Sequence, residues 1–243
     1  MGTMRFVLFF IVGLAAIVVD RVPLAVAQAP CTAGGNATGS ATAPALATNM
    51  TMMVAPGVPE LKNWDDAAVK GCVDLKSLIT PGNAKLLGFD TAQDASLAQI
   101  GTPFNMYTIG IDKLRDYFPG NLVAPLVKRL DSRLYPLSVG GEVRSALVVS
   151  WHKSNNELVT TTWGLVKLIQ LVTKYRKADS DFIVWVPALN FHFLGNVADE
   201  RLMLTPLATR NSYGLIEGVP VPAAVVFALL AQQARAHDEN NPG

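Results

Sequence analysis

The sequence predicts an α+β domain, with a single mainly antiparallel sheet and helices packed on it, preceded by a signal peptide and a flexible linker. Three observations carry that expectation. Apolar runs at 134–139 and 143–152 flank Gly140-Gly141, a glycine pair that supplies the positive φ angles a tight hairpin turn demands. Residues 164–178 place Leu165, Leu168, Ile169, Val172 and Tyr175 at the spacing of one helix face. Residues 223–231 are nine consecutive apolar positions behind Pro222, and a helix there demands burial. With 50% hydrophobic residues the chain has ample material for a core, which excludes wholesale disorder.

Taken in order, 61–70 reads as a short helix. Asp90 followed by Gln93 is a capping box opening a helix that runs through Ile100 and closes at Gly101. Residues 104–109 form a strand and 112–118 a helical turn stopped by Pro119-Gly120. The Gly140-Gly141 hairpin comes next, and 153–156 connects it to a third strand at 157–163. Counting from those turns sets Val139 opposite Glu142, Tyr135 opposite Ala146 and His152 opposite Glu157. One sheet face then carries Tyr135, Leu137, Ala146, Val148, Val159 and Trp163, and the other carries Leu134, Val143, Leu147, Val149, Trp151 and Leu158. Both faces are apolar, so both need cover. Pro136 has no ladder donor, which places its strand at an edge. After the helix at 164–178, a long strand spans 182–194 with a bulge or break at Pro187, and 201–207 is its antiparallel partner beyond a turn at 196–200. No internal repeat is present.

The N-terminus has a different composition. Arg5 precedes 14 uncharged, mostly apolar residues at 6–19, too short a run to span a bilayer, and Ala25-Val26-Ala27 offers a small-x-small cleavage pattern before Gln28. Residues 1–27 are therefore expected to be a secretory signal and the protein exported, periplasmic or extracellular; the alternative is anchoring by an uncleaved N-terminal segment. Residues 28–58 read as an Ala/Thr/Gly/Pro-rich tether, and 59–243 as the single folded domain. Export makes pairing of Cys31 with Cys72 admissible, closing a loop worth roughly 4 kcal/mol on the chain-entropy model. Asn36 and Asn49 fit the N-glycosylation pattern, which arises easily by chance in so Thr-rich a stretch.

The sequence holds 20 Lys+Arg against 19 Asp+Glu, and loss of Arg5, Asp20 and Arg21 with the signal leaves the charges balanced. That balance argues against nucleic acid as a partner. Three histidines and two cysteines offer few metal ligands, and no metal or cofactor is expected. The nucleophile elbow, phosphate loop, zinc-protease and dinucleotide motifs are all missing, and the paired acids Asp65-Asp66, Asp179 with Asp181, and Asp199-Glu200 fall where caps and turns employ them. Among the histidines, His152 faces Glu157, and His237 sits in the tail. His192 shares a strand face with Asn190, with Phe191 and Phe193 on the opposite face, so Asn190 and His192 form the candidate ligand site. Lys167, Lys174 and Lys177 share a stripe with Gln170 on a helix without acids, a candidate contact for an anionic membrane surface or an acidic protein.

The function expected is that of an exported cell-envelope domain binding a protein or small molecule without catalysis. The alternative is a hydrolase or isomerase using His192 or His152 with a carboxylate.

Overall fold

A computed structural model describes residues 62–210 and 213–236. The expected signal, the linker, Cys31, Asn36, Asn49 and His237 all lie outside the described residues. In chain order the elements are α1 (Lys62–Leu78), α2 (Ala92–Ser96), β1 (Gln99–Ile100), β2 (Phe104–Thr108), α3 (Ile111–Arg115), β3 (Lys128–Val139), β4 (Glu142–His152), β5 (Glu157–Gly164), α4 (Val166–Tyr175), β6 (Phe182–Val186), β7 (Phe191–Ala198), β8 (Arg201–Pro206), β9 (Val221–Pro222) and α5 (Ala223–Ala236). The α+β class expected from the sequence is what the structure shows: one mainly antiparallel nine-stranded sheet with helices packed on it.

The strands run in the order β5-β4-β3-β2-β6-β7-β8-β9, with β1 beside the end of β3. Two antiparallel meanders, β3-β4-β5 and β6-β7-β8, meet at β2, which pairs antiparallel with β3 and parallel with β6. One face is covered by α1, over β3 to β5, and by α5, over β6 to β8. On that face Trp64, Ala68, Cys72 and Leu75 meet Tyr135, Leu137, Leu147 and Val149. Further across, Val226, Phe227 and Leu230 meet Tyr107, Val184 and Phe193. On the opposite face, Ile169 and Val172 of α4 pack on Phe104, Met106, Leu134, Val148, Ile183 and Leu194, and so span both meanders.

The Gly140-Gly141 turn and the Val139–Glu142 and His152–Glu157 pairs are as the sequence indicates, with both glycines at positive φ. Between them the register differs. Tyr135 lies opposite Leu147, and Ala146 opposite Pro136, because a bulge falls where Leu137 pairs with Ser145 but Ser138 with Val143, leaving Arg144 as the extra residue. A one-residue slip exchanges the faces, so Tyr135 and Leu137 share a cluster with Leu147 and Val149, while Leu134 joins Ala146 and Val148. A second irregularity, between Val148 paired with Thr162 and Val149 paired with Thr160, leaves Thr161 extra.

Pro136 is not on an edge strand. Its carbonyl accepts from the Gly101 amide at 2.9 Å, in the gap between β1 and β2. Because a strand residue directs its N–H and C=O to the same side, the proline forfeits only the reciprocal bond to Gly101, at the point where β1 ends and before β2 begins. The capping box also sits one residue later than expected: Thr91 accepts from the Asp94 amide and Asp94 from the Thr91 amide. The helix it opens ends at Ser96 rather than near Ile100, which instead belongs to β1. The stretch 182–194 breaks at Pro187 into a hairpin, closed by a 3₁₀ turn at Pro187–Leu189 and by Asn190 at φ 45°.

Helix α1 runs eight residues beyond its expected end, straight through Gly71. A Cβ at Gly71 would overlap the Thr160 side chain, and the Trp163 indole donates to the Gly71 carbonyl at 3.0 Å, so the missing side chain is what lets α1 approach β5. Gly71→Ala is expected to destabilise the domain by about 1–3 kcal/mol through overpacking, despite its better helix propensity. Adding Thr160→Ala should recover part of that loss in a denaturation double-mutant cycle; additive effects, or a stabilising Gly71→Ala, would contradict the close approach.

Candidate functional site

Folding 182–194 into a hairpin changes which residues stand together. Asn190 lies in the turn, outside β7, where its amide donates to the Pro187 carbonyl at 2.9 Å and its own carbonyl accepts from Arg210 at 3.5 Å. Its side chain is therefore not aligned beside His192, and no hydrogen bond joins the two among the described residues. His192 instead pairs across the hairpin with Trp185, and the two rings stack, 5° from parallel with centroids 5.9 Å apart. Phe191 and Phe193 do lie on the opposite face, buried with α5.

Trp185 and His192 occupy the α4 side of the sheet, past the rows that α4 covers. Thr108 pairs with Trp185 along the β2–β6 ladder, and the Leu207 amide donates to the His192 carbonyl at 3.0 Å. On the other meander the same face carries a chain of hydroxyls: Ser132 to Ser150 at 2.9 Å, Ser150 to Thr161 at 3.2 Å, and Thr161 on to the Val148 carbonyl. Thr108, Ser132 and Ser150 are half-buried, and Leu130 packs against the cluster under α4. The Trp185 indole N–H is shielded from solvent and has no acceptor.

Burial, and nothing else, moves His192: desolvation of the imidazolium holds its pKa below the usual histidine value. No carboxylate perturbs it. His152 and Glu157 are cross-strand partners at an exposed hairpin end, and no ion pair among the described residues includes either histidine. The acids occupy structural places. Asp65 accepts the Tyr135 hydroxyl at 2.9 Å, Asp179 pairs with Arg176, and Asp181 caps the Lys177 and Ala178 amides. Asp199 and Glu200 form the β7–β8 turn, both at positive φ.

The lysine stripe is less isolated than its own helix implied. Lys167 and Lys177 are exposed, but Lys174 lies 3.8 Å from Glu217, which arrives from the loop before β9, and 4.6 Å above the Tyr175 ring. Cys72 is fully buried between α1 and the sheet. Among the described residues no group of three metal-ligating side chains converges, and no helix is long and apolar enough to cross a membrane.

Reading 187–190 as a turn would have revealed Trp185 as the partner of His192; Pro187 and Asn190 carry that signal. No family model, no curated protein and no solved structure matches the chain.

The lowered pKa fixes the sign of a pH dependence. As pH falls, the unfolded chain takes up the His192 proton first, so stability is full above about pH 6.5 and declines below it until the folded imidazole also titrates. His192→Asn is expected to flatten the dependence of Tm on pH between about 6.5 and 5. An unchanged slope would show that His192 is not held neutral by burial.

Proposed function

We propose that the chain is an exported domain that binds a small molecule without transforming it, at the shelf formed by Trp185, His192 and the neighbouring hydroxyls. The observation that carries this reading is the stacked Trp185–His192 pair on a sheet face left open by α4. An uncharged imidazole beside an indole offers flat apolar surface and a polar edge, and the row of Ser and Thr hydroxyls supplies donors and acceptors. This combination suits an uncharged ligand with ring faces and several hydrogen-bonding groups. The absence of a carboxylate acting on His192 favours binding over acid–base catalysis, which needs a matched pair within hydrogen-bond reach. Export rests on the N-terminal apolar run and the Ala25-Val26-Ala27 pattern.

Native mass spectrometry on protein purified gently from its own host tests both parts. The polypeptide mass is expected to match a chain beginning at Gln28 and to carry a small-molecule adduct. Trp185→Ala and His192→Ala, each folded by circular dichroism, should weaken adduct retention about tenfold, the equivalent of about 1.4 kcal/mol. A bare polypeptide, or an adduct indifferent to both substitutions, would refute the site. A mass retaining residues 1–27 would refute cleavage.

A further inference from the structure

The opposite sheet face holds a second set of groups that the shelf does not use. Between the cluster under α1 and the cluster under α5 runs a strip of β3 and β2 carrying Arg133, Arg129 and Asn105. These charged side chains mark the seam between the two helices, where Arg129 and Arg133 are half-buried and Asn105 is exposed. The Arg133 guanidinium lies 4.8 Å from the centre of the Trp64 ring, at the start of α1. Trp64 is 2% exposed, yet its indole N–H has no acceptor. The Arg133 Nε–H, against the same ring, is also shielded and also without one. A buried donor left without an acceptor is costly, and here two lie side by side.

We propose that Trp64 and Arg133 form a slot for a carboxylate carried by a small monoanionic ligand. The remaining polar groups fit that class. Arg129 donates to the Asn105 side-chain oxygen at 3.2 Å, which leaves the Asn105 amide group as a further donor facing the strip. The nearest acid, Asp65, is engaged by the Tyr135 hydroxyl, and Asp131 is paired with Lys153 at 3.1 Å. Arg133 also interacts with the Tyr135 hydroxyl that donates to Asp65, so Asp65 offsets one of the two guanidinium charges and a single positive charge is left to match one carboxylate. A planar, two-oxygen acceptor can take both N–H groups at once, as guanidinium–carboxylate pairs do. Both donors are shielded in the unliganded chain, so entry of the acceptor requires the Trp64–Arg133 contact to part.

The test is the Trp64 indole N–H signal in nitrogen-15 correlation spectra, assigned through Trp64→Phe and followed while acetate replaces chloride at constant ionic strength. The signal is expected to shift saturably with acetate in the wild type. Arg133→Leu should abolish the response, and Arg133→Lys, which keeps the charge but not the fork, should weaken it about tenfold; dispersed backbone signals verify that each variant is folded. No saturable shift, an equal shift in both Arg133 variants, or a stronger response to inorganic phosphate than to acetate would overturn the proposal.

Discussion

Strand β2 is five residues long, and the sheet depends on it. It alone has partners in both meanders, antiparallel to β3 and parallel to β6. A parallel pair cannot be closed by a tight turn, so the chain between β2 and β6 makes an excursion through α3, the whole β3-β4-β5 meander and α4 before returning. Helix α4 seals the junction from one side, with Ile169 and Val172 touching Phe104, Leu134, Ile183 and Leu194 together. On the other side, Tyr107 of β2 is buried with Phe182, Val184 and α5, its ring centre 4.7 Å from that of Phe182. Without β2, each meander would expose an inner edge of unpaired backbone groups.

The placement of open surface follows from that arrangement. A sheet apolar on both faces must be covered on both, and here one face has two helices and the other has one ten-residue helix. Where cover runs out, polar residues take over. Beyond α4 stand His192, Trp185 and the Ser132–Ser150–Thr161 hydroxyls, and between α1 and α5 stand Arg129, Arg133 and Asn105. Both candidate binding surfaces are thus gaps in the helical layers rather than additions to them, and each holds a shielded indole N–H with no acceptor.

Local chemistry was the legible part of this fold. Gly140-Gly141, the Asp90–Gln93 pattern, Pro222 and the apolar spacing of 164–178 announced a turn, a helix start and two helices within three residues of their observed places. Registers and faces were less legible, because a bulge has no strong sequence signature: Arg144 and Thr161 look like ordinary strand residues, yet each exchanges the faces of the residues beyond it. Pro136 was misleading because its missing donor costs one bond, to Gly101, at the junction between β1 and β2, which an interior strand tolerates. The helix expected over 61–70 continues through Gly71 to Leu78, and its close fit there is to Thr160, far away in sequence. The same limit applied to the candidate sites. His192 stood out by residue type, but Asn190 belonged to a turn, and the juxtaposition of Trp64 with Arg133 arises from packing between distant segments that periodicity does not encode.

Through its two ladders β2 joins the two meanders into one cooperative sheet. Native-state amide hydrogen exchange, measured residue by residue in rising denaturant, tests it most directly. Such cooperativity requires the slowest amides of β3, β4, β6 and β7 to converge on a single opening free energy, with β5 and β9 exchanging earlier as edge strands. Two separate isotherms, one for β3-β4-β5 and another for β6-β7-β8, would show that the meanders open independently and that the parallel β2–β6 junction does not hold them together.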